Sequence, residues 1–400
     1  MTSTQKNDRV RMHRSNTRRL LSAVYLAGEM SRAQAAEVTG INIMTVGRIA
    51  EELIDRGVLR EREREKDISH VGRPPRLLSL VEERLLCASA VLERNTLHLG
   101  LVSPRGRVDS YTSVPLPAGA FVPERIIPWM ADRLSQFLWE QRDLSPLNTV
   151  GIVVPGILDI RRGEMVFAAD LHWAHVPLLE ILRERLPERE FVFENDVKAA
   201  AVAEYRFGGL RDCRNLVVLN IGDGIGAAAI VDGELYRGKA NMAGEIGHIT
   251  INPAGKVCVC GKAGCLQTYL APRALRNEVR TVYPNITMPE IFALFEKKDP
   301  FVTALVNQVT EYISIAINLL ANTYAPEVVL LRGSLLRQGP VIKELVAAAY
   351  REKLTDYMTD AFALRFEQLG VSGPLIGGGI GALEQELDRL CGIAVQTGQQ

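Results

Sequence analysis

The first eighty residues carry apolar positions at the spacing of three short helices. The predicted helices cover residues 16–27, 31–40 and 42–56. Their apolar stripes recur every three or four residues and contain Leu20, Val24, Ala27, Val46, Ile49 and Leu53. Ser31 and Gln34 form a capping-box pattern at the start of the second helix, and Asn42 can cap the third. The spacing therefore predicts a small helical domain.

A hairpin is predicted directly after the third helix. Its first strand begins at Val58, and its second strand covers residues 77–80. Three short helices followed by a hairpin are typical of a winged helix-turn-helix. We therefore predict such a domain over residues 16–81, with a basic flexible arm over residues 1–15 in front of it.

From residue 85 onward, strand-like and helix-like patterns alternate. The predicted strands cover residues 85–92, 97–102, 108–114, 149–154, 191–193, 216–221 and 328–331. The predicted helices cover residues 123–141, 196–207, 301–324 and 341–354. This alternation predicts an α/β domain over residues 82–400.

The charge is distributed unevenly, although the chain has 47 basic and 47 acidic residues. Residues 1–80 carry 15 Lys and Arg against 10 Asp and Glu, whereas the remainder carries 32 against 37. A basic segment on an acidic body favours a nucleic-acid partner. The polar N-terminus lacks the apolar segment of a secretory signal, and the chain lacks an uninterrupted apolar run of about 18 residues. We therefore expect a cytoplasmic protein.

Candidate DNA-contacting residues lie on the third helix and around it. Asn42, Thr45 and Arg48 share the polar face of this helix, and Arg48 can read guanine in the major groove. Arg73, between Gly and Pro, resembles the arginines that enter narrow minor grooves. Phosphate contacts are expected from the basic residues of the arm and first helix, which are Lys6, Arg9, Arg11, Arg14, Arg18 and Arg19. The alternative is a solvated charged face without a nucleic-acid partner.

Four potential metal ligands are clustered between residues 248 and 265. They are His248, Cys258, Cys260 and Cys265. Three thiolates and one imidazole can close a tetrahedral site, and a site without an open position is structural rather than catalytic. The alternative is a flexible loop with three free thiols.

Several motifs resemble those of the ROK family, a group of bacterial repressors and sugar kinases. The motifs are residues 151–159, 194–196, 222–226, and 243–248 leading to 258–265. The predicted winged helix resembles the repressor branch, which includes N-acetylglucosamine, glucose and xylose repressors. The resemblance implies an N-terminal winged helix-turn-helix followed by a two-lobed actin/hexokinase-like (ribonuclease H-like) α/β domain. It also implies one structural zinc ion on the four clustered ligands.

The resemblance further implies a sugar site. Its residues are Asn195, Asp196, Glu245, His248 and Gln267. Asp196 stands where the kinases have their general base, and Gln267 stands where the family usually has Glu. Carboxylates and amides suit a sugar, because its hydroxyl groups both donate and accept hydrogen bonds.

Departures from the kinase pattern fall on the nucleotide side. Residues 91–97 lack the glycines of the kinase phosphate loop, and Asp223 places a negative charge in a second phosphate loop. Residues 331–334 depart from the usual glycine-rich loop. These losses on the nucleotide side predict a protein that is not an enzyme.

In the predicted DNA-reading helix, Gly47 replaces a common Ser.

We therefore predict a sequence-specific DNA-binding transcriptional regulator of carbohydrate genes that acts as a repressor. Its expected partners are an operator and a sugar effector, and it is expected to form a homodimer or homotetramer because two-fold operators pair with two-fold proteins. One alternative is an ATP-dependent sugar kinase of the ROK family that carries an extra N-terminal domain. A second alternative is a zinc-stabilised scaffold whose winged helix docks on another protein.

Overall fold

The N-terminal domain begins with a helix that is longer than the sequence predicts. The computed structural model describes residues 3–63, 76–117, 122–358 and 360–392, with side chains from residue 10 onward. Helix α1 covers Ser3–Ala27, so residues 3–15 are helical rather than a flexible arm. His13 Nε2 lies 3.2 Å from the carboxylate of Glu52 on the third helix. Once a helical turn has formed, each added residue gains one hydrogen bond, so α1 extends through residues 3–15 despite their polar composition.

The rest of this domain has the predicted order of elements, with one added strand. The elements are β1 (Glu29–Ser31), α2 (Arg32–Thr39), α3 (Ile43–Asp55), β2 (Leu59–Glu63) and β3 (Arg76–Leu80). Ser31 and Gln34 form the predicted capping box, and Asn42 Oδ1 accepts a hydrogen bond of 2.9 Å from the Met44 amide. The antiparallel sheet has the order β1-β3-β2. Three helices and this sheet form a winged helix-turn-helix.

The first lobe of the following domain is built around a five-stranded sheet. Its elements are β4 (Cys87–Leu92), β5 (Thr96–Val102), β6 (Val108–Pro115), α4 (Pro123–Glu140), β7 (Thr149–Val154), β8 (Ile157–Asp159), β9 (Glu164–Ala168), β10 (Trp173–Val176), α5 (Leu178–Arg185), β11 (Glu190–Asn195) and α6 (Asp196–Phe207). The sheet order is β11-β7-β4-β5-β6, with β7 and β11 parallel to β4. The carboxyl ends of parallel strands meet at one edge, which is where open α/β sheets bind ligands.

The second lobe repeats this arrangement. Its elements are β12 (Leu216–Ile221), β13 (Ile225–Val231), β14 (Glu234–Tyr236), α7 (Gln267–Leu270), α8 (Pro272–Val279), α9 (Met288–Glu296), α10 (Pro300–Tyr324), β15 (Val328–Arg332), α11 (Ser334–Gln338), α12 (Pro340–Ala349) and β16 (Ala363–Phe366). The sheet order is β14-β13-β12-β15-β16, and β12, β15 and β16 are parallel. A final helix, α13 (Gly373–Leu390), packs on β4, β7 and α6 of the first lobe.

Helix α10 forms the centre of the second-lobe core. By length and composition alone this helix could cross a membrane, but half of its most apolar 18-residue segment is buried inside the protein. Its buried side chains belong to the same cluster as strands β12 and β15. Burial against two strands explains the apolar composition of this helix.

Helix α13 approaches the first lobe very closely because glycines line its inner face. A Cβ atom at Gly377 would overlap the Ala199 carbonyl of α6, and a Cβ at Gly151 of β7 would overlap the backbone of Gly378. Glycine at these positions therefore permits backbone contact between α13, α6 and the sheet.

Candidate functional site

A cavity of about 380 Å³ lies between the two lobes, at the carboxyl ends of β7, β11 and β12. The structure brings all five predicted sugar-site residues to its wall. They are Asn195, Asp196, Glu245, His248 and Gln267. Concave sites of about 300–1,000 Å³ with a few polar side chains are typical of small-molecule binding. The cavity is the candidate ligand site.

Asn195 lies at the junction of β11 and α6 and serves first as a helix cap. Its Oδ1 accepts hydrogen bonds from the Val197 and Lys198 amides, at 3.0 and 3.1 Å. Its Nδ2 donates to the Gly156 carbonyl at 3.1 Å, which leaves the second amide hydrogen for a further partner. The cap fixes the position of the next residue, Asp196, which is the first residue of α6.

Two carboxyl groups in the cleft wall are held in a poorly solvated environment. Burial raises the pKa of Asp196 to about 6, against the opposing attraction of Arg332. Burial likewise raises the pKa of Glu245, and the nearby Lys198 opposes it. Lys198 is itself fully buried and donates to the Asn241 carbonyl at 2.7 Å. Both carboxyl groups are therefore suited to hydrogen bonds with a polar, uncharged ligand.

Gln267 connects the two lobes through a residue that the sequence analysis missed. Its Nε2 donates to both carboxylate oxygens of Asp170, at 3.0 and 3.1 Å. Arg273 also pairs with this carboxylate, and Arg94 Nη1 donates to the Asp170 carbonyl at 3.3 Å. Asp170 lies in the turn between β9 and β10, outside every motif that we recognised. Gln267 itself lines the cleft, and its Oε1 is not used in these contacts.

Charged side chains occupy the other side of the cleft. Arg332, at the end of β15, is buried and donates to Asn220 Oδ1 at 2.8 Å. Its Nε lies 3.6 Å from Glu367, which also accepts from Arg337 Nη1 at 2.8 Å. Asp223 is exposed in the turn between β12 and β13. Arg332 is a residue whose importance the sequence hinted at, since a charged residue ends a buried strand.

The four predicted metal ligands are assembled beside the cleft. His248 Nδ1 lies 3.7 Å from Cys258 Sγ, and the Sγ atoms of Cys260 and Cys265 are also 3.7 Å apart. All four ligand atoms lie within 4.8 Å of one another. A tetrahedron with Zn–S distances of about 2.3 Å has edges of about 3.8 Å, so these residues fit one metal ion.

The loop and the imidazole are both adapted to that role. Gly264 has a φ of 72°, and a Cβ there would overlap the Asn252 carbonyl, so glycine is required where the loop turns back. Burial lowers the pKa of His248, which favours the neutral, metal-binding form of the ring. His248 also lines the cleft, so it joins the metal cluster to the ligand site.

The pattern of the ROK family matches residues 120–384. The chain belongs to the ROK family. The xylose repressor of Bacillus subtilis strain 168 is 25% identical over 374 residues, which cover 92% of this chain and 95% of that protein. The predicted family resemblance and fold class are therefore confirmed.

A solved ROK regulator and a solved ROK sugar kinase cover different shares of this chain. A ROK family transcriptional regulator, homologous to the Escherichia coli MLC protein, superposes with a TM-score of 0.80 at 23% identity and covers 96% of this chain and 99% of its own. The ROK hexokinase from Thermus thermophilus superposes with a TM-score of 0.63 at 29% identity and covers 75% of this chain and 99% of its own. The hexokinase therefore leaves a quarter of this ROK protein unmatched.

The N-terminal turn of α3 presents a mixed polar and apolar surface. Asn42 and Arg48 are exposed and Thr45 is half-buried, as the predicted DNA-reading face requires. The structure adds Ile43 and Met44, whose exposed fractions are 52% and 80%. The sequence analysis assigned no role to these two residues, although two apolar residues directly after a helix cap were a visible signal.

Two predicted phosphate ligands have partners inside this ROK protein. Arg18 Nε lies 2.8 Å from the carboxylate of Asp388 on α13. Arg19 donates to the Thr39 carbonyl at the end of α2. Both side chains are exposed, so their role as phosphate ligands stays a prediction. Arg73 lies outside the described residues.

Proposed function

We propose that this protein is a cytoplasmic, sequence-specific DNA-binding repressor of carbohydrate genes, controlled by a sugar in the interlobe cleft. The observation that carries the proposal is the combination of a winged helix-turn-helix and a ligand cleft in one chain. The repressor and regulator relatives extend over this whole combination, whereas the hexokinase covers three quarters of the chain.

The cleft chemistry supports a sugar effector. Asp196 and Glu245 offer carboxyl oxygens, Gln267 offers an amide oxygen, and Asn195 offers an amide hydrogen. His248 completes the set at the metal side of the cleft. Vicinal hydroxyl groups donate to one such partner and accept from the next, so a ring of hydroxyls matches these side chains.

The contacts on the opposite wall support binding without phosphoryl transfer. Arg332 lies in the stretch 331–334 that departs from the kinase pattern, and it is engaged by Asn220 and Glu367. Asp223 adds a negative charge at the rim. We infer that Asp196 acts as a hydrogen-bond partner of the sugar rather than as a general base.

We further propose that the Cys-His cluster holds one structural zinc ion. His248, Cys258, Cys260 and Cys265 would be its ligands. When bound, zinc would cross-link the loop without providing an open position for a substrate. A hydrogen bond of 2.9 Å from the Leu266 amide to the Ile249 carbonyl closes the base of this loop.

On the DNA side, α3 would enter the major groove. Asn42, Thr45 and Arg48 would read base edges, and the wing, which is the hairpin of β2 and β3, would approach the minor groove. One winged helix reads few base pairs, so we propose a homodimer or homotetramer that binds a two-fold operator.

Selection of genomic DNA fragments with the full-length protein tests this function. Recovered fragments are titrated at several salt concentrations, and release is measured with glucose, xylose, N-acetylglucosamine and the 6-phosphates of the two hexoses. Arg48→Ala should abolish selection of the operator without changing sugar binding, whereas Glu245→Gln should weaken sugar binding without changing operator affinity. Failure to bind any fragment, even at low salt, would contradict the proposal.

A coupled ATPase assay with the same sugars tests the kinase alternative. We expect no sugar-dependent ATP hydrolysis. Sugar-dependent turnover that disappears in Asp196→Asn would contradict our assignment of Asp196.

A further inference from the structure

Helix α6 extends from the ligand cleft to the DNA-binding domain. Its first residue, Asp196, lines the cleft. Its eleventh residue, Arg206, donates through Nη1 to the phenol oxygen of Tyr25 on α1, at 2.8 Å. The Arg206 guanidinium also lies 5.3 Å from the Tyr25 ring centroid. Ten residues of α-helix, about 15 Å, therefore separate a cleft residue from a residue that holds the DNA-binding domain.

Helix α13 makes the same connection in parallel. Near its N-terminus, Pro374 lines the cleft. At its other end, Asp388 pairs with Arg18 at 2.8 Å, and the Leu390 carbonyl accepts from Arg56 Nη1 at 3.0 Å. Its apolar residues share one core with the DNA-binding domain, and that core includes Leu20, Leu21, Val24, Ala382, Leu383, Leu387 and Cys391.

The two helices are packed so closely that they act as one body. Gly377 of α13 touches the backbone of Ala199 on α6. Glu384 of α13 pairs with Arg206. Glu204 of α6 accepts from the Leu369 amide, in the segment before α13, at 2.9 Å. Close-packed interfaces shift between discrete arrangements rather than deform gradually, so movement of one helix displaces the other.

The segment that joins the two domains is also fixed. Glu82 lies 3.2 Å from Arg105 of the first lobe, and Glu83 lies 3.1 Å from Arg60 of β2. The DNA-binding domain is therefore docked on the first lobe rather than tethered by a flexible linker. A docked domain transmits a change of orientation, which a flexible linker would absorb.

We propose that α6 and α13 form the path by which a sugar in the cleft reorients the DNA-binding domain. Arg206 of α6 and Tyr25 of α1 are the positioning residues that couple this path to the DNA-binding domain. This inference rests on the proposed function. A ligand that engages Asp196 acts on the start of α6. A tilt of about 5° over about 15 Å displaces Arg206 by about 1.3 Å, which is enough to break a hydrogen bond of ordinary length.

The test measures coupling rather than binding alone. Operator affinity of the full-length protein is determined by fluorescence anisotropy with and without saturating glucose, xylose or N-acetylglucosamine. The affinity of the protein for each sugar in the absence of operator DNA is determined by calorimetry. The variants are Tyr25→Phe, which removes only the hydroxyl group, and Arg206→Gln. The control is Tyr236→Phe, at an exposed tyrosine of β14 whose ring packs edge-on against the ring of Tyr324.

In the wild type we expect the effective sugar to change operator affinity by about 5- to 150-fold. In Tyr25→Phe and Arg206→Gln this factor should fall below about threefold, because each variant removes the contact that couples the two domains. Sugar affinity without DNA should stay unchanged, and Tyr236→Phe should behave as the wild type. A purely structural contact would lower the melting temperature of the variants and leave the coupling factor intact.

The possible failures point to different conclusions. Undiminished coupling in both variants would overturn the proposed path while leaving the proposed function in place. A wild type that binds operator but no sugar of the panel, or sugar but no operator, would overturn the proposed function and the path together.

Discussion

Replacement of Asp196 by Asn should stabilise the protein, because the cleft holds this carboxyl group in a medium that disfavours its charge. Burial raises the pKa of Asp196 to about 6 from an ordinary value of 3.8, and the attraction of Arg332 only partly opposes burial. Asn has a similar shape and no charge to desolvate. The carboxylate is therefore a stability cost that a ligand-binding role would explain.

The sign and the size of the effect follow from the pKa difference. The folded protein holds the Asp196 proton more tightly than the unfolded chain does, so this group lowers stability as the pH rises from about 4 to about 6. Above pH 6 the full cost is present, and it is at most about 3 kcal/mol. Asp196 keeps partial access to cleft water, which makes this value an upper bound. Below pH 4 the cost disappears.

Calorimetric unfolding of the wild type and Asp196→Asn at pH values from 4 to 7.5 measures this difference. The melting temperature of the first lobe should rise in Asp196→Asn at pH 7.5, by about 2–4 °C for each kcal/mol, and the gap should close near pH 4. The control is Asp223→Asn, at an exposed position on the same cleft, and it should not raise the melting temperature. An Asp196→Asn protein that is no more stable than the wild type at pH 7.5 would refute the reasoning.

Three further predictions concern other parts of the chain. Gly47→Ala should stabilise the DNA-binding domain by about 1 kcal/mol in calorimetry, because Gly47 lies inside α3 and a Cβ there would make ordinary contact with Arg32 at 3.5 Å; a lower melting temperature would contradict this. We expect elemental analysis to find one zinc ion in the wild type, and Cys260→Ser should lose it and lower stability by at least about 2 kcal/mol, whereas Cys213→Ser should retain it; equal zinc in both variants would argue against the proposed site. Replacement of operator thymines by uracil should weaken binding by about fourfold for each methyl group that Met44 contacts, and Met44→Ala should be insensitive to the change. Equal sensitivity of both proteins to uracil would exclude contact of Met44 with thymine methyl groups.

Local patterns predicted much of the fold because the forces involved act between neighbours in sequence. Ser31 and Gln34 cap α2 through contacts three residues apart, and the stripe of Val46, Ile49 and Leu53 follows from helical periodicity. The extension of α1 to Ser3 and the strand β1 escaped prediction. The first is supported by His13 against Glu52, and the second pairs Met30 with Leu78, so both depend on distant residues.

The candidate site divides in the same way. The Cys-His cluster was visible in the sequence because its ligands lie within eighteen residues, and the four residues carried by family resemblance, together with Gln267, meet in the cleft. Asp170 had no such signal, and the only signal for Arg332 was a charged residue at the end of a buried strand. Their roles come from partners about a hundred residues away, Gln267 for the first and Asn220 for the second.

The sequence by itself determined the order of the domains, the helix caps and the candidate metal ligands, since each rests on spacing along the chain. Only the tertiary structure decided that Arg18 of α1 pairs with Asp388 of α13, and that Arg206 of α6 meets Tyr25 of α1. Spacing along the chain carries no information about such pairs, because the packing of α13 against both domains sets the distance between them.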